Sequence, residues 1–64
     1  MDRELMEKRI RQLMAIDQNA FDIYTNLAKA APDAKAREVL LALAIDESRH
    51  CEVEAEIMSL ILKK

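Results

Sequence analysis

Two apolar stripes, each stepping alternately by four and three residues, flank the chain's only proline. The first runs Met6, Ile10, Leu13, Asp17, Ala20, Tyr24, Leu27, Ala31. The second runs Ala36, Leu40, Leu43, Glu47, His50, Glu54, Ile57, Ile61. Alternating steps of four and three keep residues on one face of an α-helix, so the pattern predicts two long helices, one over about residues 2–30 and one over about 33–62. Between them, "KAAPDAKA" breaks the pattern. Pro32 lacks an amide proton and drives Ala31 out of helical dihedrals, while proline suits the first position of a new helix and Asp33 suits its positive N-terminal end. So short a break implies an antiparallel hairpin.

Composition supports this all-α reading. Glycine is absent and aromatic residues make up 3% of the chain, whereas hydrophobic residues make up 52% and charged residues 34%. A sequence of that kind favours helices and offers no hairpin turn for strands. With 64 residues the chain is expected to be one domain, 1–64, with no linker or second unit. Two helices bury only one stripe each, and below ~70–80 residues a single core rarely supplies more than ~3–5 kcal/mol, so a partner is expected.

A net charge of −2 with scattered basic residues argues against nucleic acid. No apolar run approaches the ~18–20 residues of a membrane span. The charged start "MDRELMEKR" does not look like a secretory signal, and one cysteine cannot form an internal disulfide, which together predict a reducing, cytoplasmic setting.

Each stripe carries acids where leucine would pack better. Asp17 interrupts the first stripe; Glu47, His50 and Glu54 interrupt the second. Asp17 lies fifteen residues before Pro32 and Glu47 fifteen after it, which sets them level across the hairpin. An unpaired buried carboxylate is costly, and two of them near 4 Å repel by roughly 4 kcal/mol at an effective dielectric of 20. No lysine or arginine lies on either stripe, and one imidazole cannot neutralise three carboxylates. A metal cation is the economical partner. Glu47 and His50 form Glu-x-x-His, one turn apart on one face. In helix-bundle di-iron and di-manganese proteins, two such motifs combine with a lone carboxylate from each of two further helices. One copy of this chain supplies half of that set. A homodimer would supply all of it in a four-helix bundle, and two Asp17 with two Glu47 would offset two divalent ions. Carboxylate and imidazole accept iron, manganese or zinc alike. The same polar seam is also compatible with a non-catalytic dimerisation or docking module, in which acids specify register and any metal is structural or adventitious.

Other residues have plainer readings. Glu54 is a further metal ligand, a proton carrier, an ion gate or a seam-edge acid. Tyr24 is a core tyrosine whose hydroxyl needs a partner, and is also placed for one-electron chemistry or for holding a ligand carboxylate. Asp46 or Asp22 is placed to hold the second ring nitrogen of His50, with a solvated surface role as the alternative. Cys51 follows His50 and is expected to turn off the seam as a small hydrophobe. Ile16, Ile23, Leu41, Ile45, Val53 and Leu60 form an apolar set off the main stripes, widening the core or serving further association.

Asp17-x6-Tyr24 in the first helix, "YTNLAKAAPD" at the turn and "LALAIDESRH" in the second helix resemble the ferritin-like superfamily, especially its rubrerythrin branch. Family members show Glu-x6-Tyr followed about one helix later by Glu-x-x-His. The resemblance covers roughly Leu13 to Ile61. A two-helix chain is similar to the encapsulated ferritins, whose di-iron site forms at a dimer interface. The resemblance implies two metal ions per dimer, iron first and manganese or zinc as alternatives. It also implies oxidation of Fe(II) by oxygen or peroxide. Asp17 stands where the family has Glu, one methylene shorter, which limits its reach to one metal or to contact through water. The end "SLILKK" carries no evident cargo tag, and Cys51 alone does not make a cysteine-rich electron-transfer module.

Overall fold

The computed structural model describes residues 2–63. Two helices, α1 (Arg3–Ala30) and α2 (Ala34–Leu62), pack side by side as an antiparallel hairpin 48 Å long. Both begin at an aspartate. The Asp2 carboxylate accepts from the Leu5 amide at 2.8 Å, and the Asp33 carboxylate accepts from the Ala36 amide at 2.7 Å. Each satisfies an amide that has no partner within its helix.

The turn follows from Pro32. Ala31 is extended, with φ −63° and ψ 134°, as a residue before proline must be. Its amide donates to Ala28 O at 3.2 Å and closes α1. Pro32 does not open α2, as the sequence suggested. Asp33 takes the capping position, so Pro32 stands one residue outside the helix. At the other end, the Arg3 guanidinium donates to Leu62 O at 2.8 Å and ties the start of α1 to the end of α2. No helix among the described residues is long and apolar enough to cross a membrane.

The seam between the helices differs in phase from the expected stripes. Ile10, Asp17, Ala20, Tyr24 and Ala31 lie on it as expected, with Phe21 half-buried beside Ala20, but Glu7, Met14 and Ala28 take the places expected for Met6, Leu13 and Leu27. On α2, Leu40, Glu47, Glu54 and Ile61 hold, while Ala44, Cys51 and Met58 replace Leu43, His50 and Ile57. Only Ala28, Ala44 and Met58 are buried among the described residues. The reason is steric: alanine at 28 and 44 lets the axes approach, and pliable methionine fills what remains at 58. The larger Leu13, Leu27, Leu43 and Ile57 sit one position aside, exposed.

Candidate metal centre

The middle of the hairpin is polar. α1 brings Asp17 to the seam at its midpoint, and α2 brings Glu47 and Glu54, all three half-buried. His50 lies just off the seam, its side chain 61% exposed, and its ring leans back on Glu47 with Nδ1 3.6 Å from Oε2. The i,i+3 spacing of the two residues on α2 produces this contact.

Asp17, Glu47 and His50 each offer one donor atom, and the three atoms lie within 4.8 Å of one another. Three donors about 2.1 Å from one ion stand at most about 4.2 Å apart, so small side-chain rotations bring these onto a common centre. The set fits a divalent cation: two carboxylate oxygens and an imidazole nitrogen, contributed by two helices. Glu47 Oε2 is shielded from solvent and accepts no hydrogen bond, an arrangement that costs free energy unless a cation compensates it. The sequence placed these three residues together, and the structure brings them together. Its premise for His50 requires correction, because the imidazole reaches the group from beside the seam.

Glu54 lies outside that group, near Asp17. Its Oε1 is likewise shielded and without a hydrogen-bond partner. Its carboxyl group is held above the usual carboxylate range, first by burial and then by the adjoining Asp17 carboxylate; nearby His50 acts in the opposite direction and Glu47 in the same one. Burial and the neighbouring Asp17 charge thus favour the protonated form of Glu54.

Tyr24 is half-buried on the seam, seven residues after Asp17 and so about 10 Å along the helix axis. The carboxylate that His50 meets is Glu47. Asp22 accepts instead from the Gln18 amide at 3.2 Å, and Asp46 is exposed.

Cys51 is the residue misplaced from sequence. It lies on the seam, half-buried, with Sγ 3.9 Å from Met14 O. Burial raises its thiol pKa, as do the charges of Asp17, Glu54 and Glu47. The seven-residue spacing of Ala44, Cys51 and Met58 was the available signal.

Comparison of the chain with models of known protein families, with curated proteins and with solved structures found no match.

Proposed function

We propose that the hairpin is a divalent-metal protein of the ferritin-like type, in which two copies pair as a four-helix bundle around two metal ions, with iron as the favoured metal. The observation that carries this reading is the convergence of Asp17, Glu47 and His50 from two helices within 4.8 Å. Each hairpin provides two carboxylates and one imidazole. Two hairpins provide the four carboxylates and two imidazoles that bundle proteins use for paired ions.

Asp17 and Glu47 offset the charge of one divalent ion per chain. His50 contributes a neutral donor whose exposure leaves it free to turn. Glu54 stands beside Asp17 as a proton-holding carboxyl group. Tyr24, two turns along the seam, supports the packing there. A pair of iron ions, when bound, supplies the redox chemistry by which Fe(II) is oxidised with oxygen or peroxide.

Anaerobic titration of metal-free protein with Fe(II) tests this reading. One tightly bound ion per chain is expected, followed by oxygen-dependent oxidation. Absence of saturable binding overturns it.

The exposure of many large apolar side chains also suits a second reading, a non-catalytic dimerisation module. Such a module would associate without oxidising Fe(II), and chelation would leave its turnover of Fe(II) at zero throughout.

A further inference from the structure

The two sides of the hairpin are unlike. In an antiparallel helix pair, the positions immediately before the matching seam residues of each helix fall on the same side. Before Glu7, Met14 and Ala28 stand Met6, Leu13 and Leu27; before Ala44 and Met58 stand Leu43 and Ile57. A groove between the helices, lined by Met6, Ile57 and Leu60, places both stripes on one side. Leu13 and Leu27 are each 49% exposed there, and Ile57 is 42% exposed. Ile16, Ile23, Val39 and Val53 continue the same surface outward. On the opposite side α1 presents Glu4, Lys8, Arg11, Gln18, Asp22 and Thr25. There α2 offers only Leu41, Ile45 and Leu62 as large apolar groups.

We infer that the side bearing Met6, Leu13, Leu27, Leu43, Ile57 and Leu60 is the surface on which a second copy of this chain docks. The inference deepens the two-copy reading above and rests on it for what the pairing accomplishes.

Three features select a second copy as the occupant. The surface runs the 48 Å length of the hairpin and is two helices wide, on the order of the ~800 Å² per partner that a stable interface buries. Its apolar ends flank a polar centre, where Asp46 and His50 interrupt the α2 stripe opposite the small Ala20. A second copy of the same surface lays apolar ends on apolar ends and brings its own polar centre to this one, as a self-complementary contact requires. The exposed His50 edge of the metal centre faces that side, so the partner's equivalent residues reach a site for which one chain supplies only three donors.

Sedimentation of the full chain, metal-free and with Mn(II), tests the surface. Leu13→Glu and Ile57→Glu place a charge on it; Ile45→Glu places one on the other side. The expected result is a wild-type dimer, a dimer constant weakened at least 100-fold in the first two variants, and an unchanged dimer in the third. Hydroxyl-radical footprinting of the wild-type chain keeps the test independent of how the variants fold. Met6, Leu13 and Ile57 should become protected as concentration rises, while Leu41 and Ile45 should not. Dissociation by Ile45→Glu alone, protection of Leu41 and Ile45 instead, or a wild-type monomer at every concentration with and without Mn(II) overturns the inference. A dimer with the expected footprint that binds no Mn(II) supports the surface and overturns the metal reading alone.

Discussion

His50 holds Nδ1 3.6 Å from Oε2 of Glu47, a carboxylate oxygen that is shielded from solvent and accepts no hydrogen bond. One turn of α2 therefore presents an acceptor without a donor beside a ring that is still mostly exposed. The same turn meets Asp17 from α1, and the three donor atoms form a compact group.

Glu47→Ala should abolish saturable binding of Fe(II) or Mn(II), and His50→Ala should weaken it by about 100-fold or more, beyond the ~10–100-fold typical of losing a residue that only orients a ligand. Calorimetric titration under anaerobic conditions measures both. Unchanged stoichiometry in Glu47→Ala would sink the ligand assignment.

The Glu54 carboxyl group titrates above its ordinary range in the folded chain. A raised folded-state pKa means that the native protein binds the proton more tightly than the unfolded chain. The stabilisation is complete below the unfolded value and is lost as pH rises through the folded one. The wild type should lose melting temperature as pH climbs upward from the ordinary glutamate range, and Glu54→Gln should flatten that loss. Thermal melts of the two metal-free proteins across this range check the sign; parallel curves would refute it.

Cys51 should alkylate slowly at neutral pH, because burial and three nearby carboxylates disfavour its thiolate. Urea should restore an ordinary thiol rate, and Asp17→Asn should raise the rate in the folded chain. The pH dependence of the iodoacetamide reaction provides the measurement.

Ala44 is 3% exposed where the helices approach each other. Ala44→Leu should cost about 1–3 kcal/mol by overpacking, read from urea denaturation followed by circular dichroism. The same change at exposed Ala42, which lies away from the seam, should be nearly neutral.

Asp33→Ala removes the side-chain acceptor for the Ala36 amide and should cost ~1 kcal/mol, whereas Asp33→Asn should cost little. Denaturant midpoints of the two variants separate the cap from a charge effect.

The hairpin was legible because Pro32 stands between two uninterrupted helical patterns, and both aspartate caps lie where those patterns begin. Asp17 and Glu47 were legible by counting outward from the turn, and His50 from its i,i+3 spacing to Glu47. The phase of the seam was not. Leu13 and Met14, Leu27 and Ala28, Leu43 and Ala44, and Ile57 and Met58 are adjacent apolar pairs, so a seven-residue repeat runs through either member. Close approach of the axes selected the smaller or more pliable one. That shift of one residue moved Cys51 onto the seam and His50 off it, as the seven-residue spacing of Ala44, Cys51 and Met58 already favoured. A partner was expected from the sequence only because so small a core calls for one, since a single chain's periodicity does not say which of its stripes would remain for it.

Ala28 and Ala44 are buried toward the turn and Met58 toward the free ends, while Asp17, Glu47 and Glu54 lie between them. Among the described residues, the fully buried apolar contacts therefore fall in two places: one clasp toward Pro32, reinforced by the short turn, and one toward the Arg3–Leu62 bond. The waist between them holds only half-buried side chains, among them Met14, Phe21 and Cys51, and carboxyl groups that repel when ionised. Separation of the helices there does not require either clasp to open, so the waist is where the pair spreads at least cost and where amide exchange in the metal-free chain should run ahead of the adjoining helix.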